Sequence, residues 1–152
     1  MMALVRLLAR LRHETCGTMV IETAIVAPVL VMMSLGAFDA SRMVARQNEL
    51  QQAVAEAGQI ALASKPDTQA KRDTIKSIIR TSTGLAASNV TVSNEYRCNA
   101  ATARVTTNTC AGGDTVTTYL KIVVTDTYTP VWNDFGIGSA LNYSLTRMVI
   151  VA

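Results

Sequence analysis

A carboxylate lies inside an apolar segment that is long enough to cross a membrane. The segment runs from Thr18 to Phe38 and contains Glu22 near its beginning. About 20 apolar residues span a bilayer as a helix, and a charge within that span costs about 2.5–3.5 kcal/mol on insertion scales. An acid in this position therefore indicates a function and needs a charged partner. A cut after Gly17 would supply one, because the new α-amine of Thr18 is a cation in the same chain or in a neighbouring subunit.

The residues around Glu22 resemble the site that prepilin peptidases cleave. A basic leader precedes the small residue Gly17, and a glutamate follows as the fifth residue after it, at the front of an apolar helix. The run Glu22-Thr23-Ala24, with Pro28 behind it, resembles the TadE-like pseudopilins of the tight-adherence (Tad, or Flp) pilus. The close resemblance covers about residues 15–45.

This resemblance implies a pilin-like precursor whose leader, residues 1–17, is removed by a prepilin peptidase. It also implies partners in the inner membrane: the peptidase, companion pseudopilins, the Flp pilin and the assembly platform. Glu22 would then pair with the freed amine during assembly. The expected organisation is a leader at 1–17, a transmembrane segment in lipid at 18–38, its helical continuation at 39–63 and a periplasmic domain at 64–152.

Two other interpretations of the N-terminus remain open. Arg6, Arg10 and Arg12 could form the basic region of a secretory signal peptide, although the apolar run exceeds the 7–15 residues usual for such a signal and contains an acid. The second alternative is an uncleaved single-span anchor that carries a periplasmic adaptor or binding domain, with the loop of Trp132 and Phe135 as its contact. The state of the N-terminus separates it from a pseudopilin.

Composition favours a small structural protein over an enzyme or a nucleic-acid binder. The chain has 152 residues and a formal net charge of +3, but the proposed cut would leave 11 basic against 10 acidic residues. No basic cluster interleaved with aromatic residues remains, so we expect no nucleic-acid partner. The single histidine, His13, lies in the leader, which removes the commonest general base and metal ligand. We therefore expect no enzymatic activity, no cofactor and no metal.

Cysteine usage bears on the compartment. Cys98 and Cys110 bracket a short polar segment, and such a pair persists as a disulfide in an oxidising environment, whereas two free thiols are the alternative. Cys16 would leave with the leader. The disulfide interpretation places the N-terminus in the cytoplasm and the C-terminal domain in the periplasm, a direction that the arginines flanking the span support only weakly.

Periodicity predicts a long first helix. Beyond Phe38, apolar residues recur at heptad-like spacing, which extends the helix from about Thr18 to Ala63. Packing of this stripe onto the chain's own domain is favoured over bundling with other subunits, and Pro28 predicts a kink near Ala24. Arg46 and Glu49 are a possible surface pair. The stripe comprises Met43, Leu50, Val54, Ala57 and Ala61.

The remainder predicts a short helix and a small sheet. Ser64 as N-cap and Asp67 three residues later predict a second helix, with an apolar face at Ile75, Ile78 and Ile79 and a stop at Gly84. A period of two in Thr, Val and Tyr then predicts three strands. Their ranges are Val90–Tyr96, Val116–Tyr128 and Tyr143–Val151, with a loop between the last two whose Trp132 and Phe135 are expected to cover an edge of the core. The fold class is thus α+β and pilin-like: a long helix, a short helix and an antiparallel sheet of about three strands.

Overall fold

A computed structural model describes residues 15–99, 101–136 and 138–152. The first element is a helix, α1, from Thr15 to Ser64. The chain divides into two compact units, one ending at Ser41 and the other spanning Arg42–Ala152, so that α1 contributes to both. The predicted leader lies outside the described residues except for its last three positions. Side chains of residues 15–18 also lie outside the description.

The turn between the two helices differs from the prediction. α1 runs through Ser64 and ends where Lys65 adopts a left-handed φ of 43° ahead of Pro66, which cannot continue a helix. Helix α2 spans Gln69–Thr83, and its N-cap is Thr68, whose side chain accepts a hydrogen bond from the Lys71 amide. Ser64 as N-cap is therefore wrong, because the first helix uses that residue itself.

The end of α2 is as predicted. Gly84 adopts a left-handed φ of 70° and donates its N–H to the Arg80 carbonyl, which closes the last turn of the helix. Glycine reaches this conformation without a side-chain penalty.

Three antiparallel strands follow in the order β1-β2-β3. β1 spans Val90–Cys98, β2 spans Val116–Tyr128 and β3 spans Leu141–Ile150. The central strand pairs with β1 over its residues 116–124, where Val90 lies opposite Val124, and with β3 over its residues 119–128, where Leu141 lies opposite Tyr128. This confirms the predicted α+β fold class.

One face of the sheet packs against α2 and the second half of α1. The stripe predicted on α1 supplies Leu50, Val54, Ala57 and Ala61 to the core, all less than 5% exposed. Packing within the chain's own domain is therefore the arrangement found. The Tyr143 hydroxyl also donates a hydrogen bond of 3.1 Å to the Met43 carbonyl, which ties β3 to α1. The remaining core residues are Ile75, Ile79, Leu85, Val90, Leu120, Ile122, Val124, Tyr143, Val149 and Val151.

The loop after β2 forms a short 3-10 turn at Val131–Phe135. Trp132 is half-buried there and is not one of the core residues named above, while the Phe135 side chain lies outside the described part of the structure. Their role at an edge of the core stays a prediction.

Candidate assembly segment and domain contacts

The first half of α1 has an apolar surface that no part of the described structure covers. Met19 is 71% exposed, Ile25 66% and Met33 68%, and the other branched residues between Met19 and Met33 are also exposed. A helix that is apolar all round is typical of a membrane span. α1 is the one helix in the described residues that is long and apolar enough to cross a bilayer. This surface is consistent with single-pass anchoring.

Glu22 lies on this surface with an exposed side chain. Its neighbours along the helix face include Met19, Val26 and Leu30. Across residues 15–99, 101–136 and 138–152, no hydrogen bond or ion pair reaches its carboxylate. Within the described residues, Glu22 is therefore a charged group of this segment whose carboxylate is unpaired.

The uncharged polar side chains of the same segment behave differently. The Thr23 hydroxyl donates to the Met19 carbonyl and the Ser34 hydroxyl to the Leu30 carbonyl, both at 2.8 Å. Such bonds to the carbonyl four residues earlier satisfy a hydroxyl inside the helix itself. These groups therefore enter an apolar medium at little cost, whereas the Glu22 carboxylate does not.

Gly17, Thr18 and Pro28 all lie within α1. The proposed cleavage site thus falls in the first turn of the described helix, ahead of Glu22. Pro28 has no N–H to offer the Ala24 carbonyl, so the kink near these two residues stays a prediction.

Cys98 and Cys110 form a disulfide in the structure, with their Cα atoms 5.4 Å apart, which is the predicted pairing. The loop that it closes is not free of structure. Tyr96 and Val105 exchange two backbone hydrogen bonds, of 2.8 and 2.9 Å, as an isolated bridge. Beside Val105, the Arg104 guanidinium lies 5.2 Å from the centre of the Tyr119 ring on β2. The loop that the disulfide closes therefore places the Arg104 guanidinium over the outer face of the sheet.

A second cluster joins three elements through Arg46. Its guanidinium contacts the Asp126 carboxylate at 2.7 Å and the Glu49 carboxylate at 2.9 Å, and it donates to the Thr83 carbonyl at the end of α2 at 3.0 Å. Burial alone would lower the pKa of Arg46, but the hydrogen bonds that its guanidinium donates to the Asp126 and Glu49 carboxylates outweigh burial and raise that pKa above its ordinary value. Sequence spacing predicted the Glu49 pair. It carried no signal for Asp126, which is 80 residues away.

A close approach of β3 to α1 at Gly58 was also not predicted from the sequence. A Cβ added there would lie 2.9 Å from Nε of Arg147 and 3.4 Å from a methyl group of Val149. The missing side chain leaves room for Arg147 of β3 to lie along α1. The position of this glycine inside the alanine-rich stripe was the only hint of a close approach.

These features define a small α+β protein with one N-terminal helix able to cross a membrane. Within that class, residues 17–59 match the sequence model of the TadE-like protein family. The match confirms the TadE-like resemblance over less than a third of the chain, from Gly17, the predicted cleavage position, to Gln59. It indicates a role related to the Tad pilus and is consistent with a TadE-like pseudopilin. Comparisons with curated proteins and with solved structures found no match.

Proposed function

We propose that this protein is a pseudopilin, cleaved between Gly17 and Thr18 by a prepilin peptidase, that takes part in assembling a Tad/Flp-type pilus or a related secretion apparatus. The observation that carries the proposal is Glu22, an exposed acid without a partner in the described structure, on a helix that matches the TadE-like family from residue 17. The freed amine of Thr18 in an adjacent subunit is the cation that neutralises it.

The energetics favour a partner that arrives only on assembly. A carboxylate inside the bilayer costs about 2.5–3.5 kcal/mol, which is small enough for insertion but large enough to favour pairing. An ion pair between the Glu22 carboxylate of one subunit and the Thr18 amine of another neutralises both charges at once. Companion pseudopilins, the Flp pilin and the inner-membrane platform are the partners that this role requires.

The proposed topology places the leader in the cytoplasm and Arg42–Ala152 in the periplasm. The disulfide between Cys98 and Cys110 supports this direction, because structural disulfides persist in the periplasm and not in the bacterial cytoplasm.

The first test is the mass of the N-terminus of protein isolated from its native host. We expect a mature chain that begins at Thr18. In Gly17→Val we expect an uncut precursor, because Gly17 presents no side chain to the protease pocket and the valine side chain would obstruct binding there. Ala37→Val, which adds bulk to the same apolar helix away from the site, is the matched control and should be cut normally. A wild-type protein that retains residues 1–17 would contradict the proposal in favour of an uncleaved anchor.

The second test is Glu22→Ala. Insertion into the membrane should be undiminished, because a charge that is costly in the bilayer is removed. Cleavage after Gly17 should still be detectable. Association with other pilus components should fail, because the amine then stays unpaired where breaking an ion pair costs about 3–5 kcal/mol in a fully buried setting. Glu22→Asp keeps the charge and serves as the control. Undiminished crosslinks and surface fibres in Glu22→Ala would show that the acid has no assembly role.

A further inference from the structure

The edge of the sheet at β3 is open. Beyond the end of the strand, Val151 donates its N–H to the Thr118 carbonyl, and the Ala152 carbonyl accepts a hydrogen bond from the Thr118 N–H. The register continues the Val151 pattern into β3, so the odd-numbered residues of β3 direct their backbone groups toward β2. In an antiparallel ladder the alternate residues direct theirs the other way. In the described part of the chain, no backbone hydrogen bond reaches this outward set. It consists of Asn142, Ser144, Thr146, Met148 and Ile150.

The opposite edge of the sheet is covered by a loop at one position. On β1 the outward-facing backbone groups of Tyr96 are taken up by Val105 of the disulfide loop. Edge strands are commonly blocked by lysine, proline or a covering loop. β3 has ten residues, contains neither lysine nor proline, and carries one charged side chain, that of Arg147. Its backbone groups therefore remain available to an added strand.

A groove with a volume of about 690 Å³ runs beside this edge, between α1 and β3. The β3 wall is formed by residues Ser144 to Arg147. The α1 wall is rich in side-chain amides, which can donate to and accept from an extended chain. The amides belong to Gln47, Asn48, Gln51 and Gln52.

Arg147 gives the groove a charge. Its side chain is exposed, lies over Gly58 and lines the groove. Among the residues that the structure describes, no carboxylate pairs with it and no side chain hydrogen-bonds to it. Arg46, Arg104 and Lys121 all have carboxylate partners. The Arg147 guanidinium is thus a cation beside the groove, and an acidic side chain of a bound segment can form an ion pair with it.

We propose that β3 and this groove bind an extended, acidic segment of a companion protein, which adds a fourth strand to the sheet. Main-chain hydrogen bonds to the outward set of β3 supply affinity, as in other cases of β-strand addition. A carboxylate on the added strand pairs with the Arg147 guanidinium and fixes its register. Amides of α1 contact the side chains on the same face of the strand.

This inference rests on the proposed function in one respect: the proposed function indicates that the partner is a protein of the same assembly. The two can fail separately. Loss of N-terminal cleavage would contradict the pseudopilin proposal, whereas the groove is tested by crosslinks that do not depend on processing.

The experiment places a photo-crosslinking residue in the groove of the full-length protein in its native host, as Gln51→p-benzoylphenylalanine. Glu56→p-benzoylphenylalanine, on an exposed position that does not line the groove, is the control. We expect a groove-specific crosslink to one identified partner, with the crosslinked peptide mapped by mass spectrometry to an extended segment containing Asp or Glu.

Two variants then test the mode of binding. Thr146→Pro removes an outward N–H without breaking the β2–β3 ladder, so the crosslink should fall by about fivefold or more, while Thr146→Val, which keeps the N–H, should leave it unchanged. Arg147→Glu should lower it by about tenfold and Arg147→Lys by much less. Far-ultraviolet circular dichroism checks that each variant is folded; if Thr146→Pro is not, the Arg147 pair decides.

Several outcomes would overturn the proposal. An unchanged crosslink in folded Thr146→Pro or in Arg147→Glu would do so, as would the absence of any crosslink from Gln51→p-benzoylphenylalanine. A crosslink that maps to a second copy of this chain would replace the companion with self-association.

Discussion

Arg46 should be the side chain on which the Arg42–Ala152 unit depends most among its charged residues. Arg46→Ala removes the 2.7 Å contact to Asp126 and the hydrogen bond to the Thr83 carbonyl, and it leaves a carboxylate that is only 16% exposed without its cation. Breaking a fully buried pair costs about 3–5 kcal/mol, but Arg46 itself is 25% exposed, so solvent screens part of this. We expect a loss of about 2–3 kcal/mol in unfolding free energy, or about 10 °C in Tm for a unit of this size.

The assay is urea unfolding of the full-length protein in detergent, followed by fluorescence of Trp132, the single tryptophan of the chain. Glu49→Ala is the matched control: it removes the partner whose side chain is 47% exposed and should cost at most about 0.5 kcal/mol. Arg46→Ala/Asp126→Ala should be less destabilised than the sum of the two single variants, because no unpaired carboxylate remains. A loss in Arg46→Ala no larger than in Glu49→Ala would refute the reasoning.

Three further outcomes follow from described contacts. Replacing both Cys98 and Cys110 by serine should cost about 2–3 kcal/mol in the same unfolding assay, since the bond closes a short loop of the unfolded chain; an unchanged midpoint would contradict this. The ion pair with Lys71 holds the pKa of Asp67 below its ordinary value of 3.8, so this pair stabilises α2 above that pH and its contribution is lost as the pH falls through the lowered pKa. Lys71→Gln should return the Asp67 titration, followed by carboxyl NMR, toward 3.8, and an unmoved midpoint would show that Lys71 is not the cause. Ile79→Ala empties a fully buried site and should cost about 2–5 kcal/mol, against a small effect for the exposed Lys71→Gln; equal midpoints would contradict the assigned core.

The helices were predictable where one local pattern decided them. Apolar spacing placed Leu50, Val54, Ala57 and Ala61 on one buried face because side chains three and four apart share a helix face whatever they pack against. The left-handed stop at Gly84 was equally local.

Where two local signals competed, prediction failed. Ser64 and Thr68 are both good N-cap residues, and the acid three residues after Ser64, Asp67, favours Ser64, whereas Thr68 is followed at that spacing by Lys71. The left-handed φ of Lys65 decided between them, because it ends α1 after Ser64. Lysine rarely adopts this conformation, so the sequence does not predict it. The predicted and observed ends of the strands differ for a similar reason. β3 begins at Leu141 and not at Tyr143 because Leu141 pairs with Tyr128, and neither segment alone predicts this pairing.

The candidate sites divide in the same way. Glu22 could be identified from the sequence because a charged residue is unusual within an apolar run. The Arg46–Asp126 pair and the contact of Arg147 with Gly58 instead join residues far apart in the chain. Such contacts depend on the completed fold, and a single sequence contains no record of them.

The hydrogen bond from Tyr143 to Met43 has a consequence for the order in which the chain folds. The apolar face of α1 after Arg42 is synthesised early, but β3, which packs beside it, comes about a hundred residues later. Contacts between such distant segments form slowly, since a long loop must close before they contribute. During that interval Leu50 and Val54 have no completed core to enter, and the nascent chain exposes the apolar face of this helix. We therefore expect the period between emergence of α1 and emergence of β3 to be when this protein most needs a chaperone or an early partner.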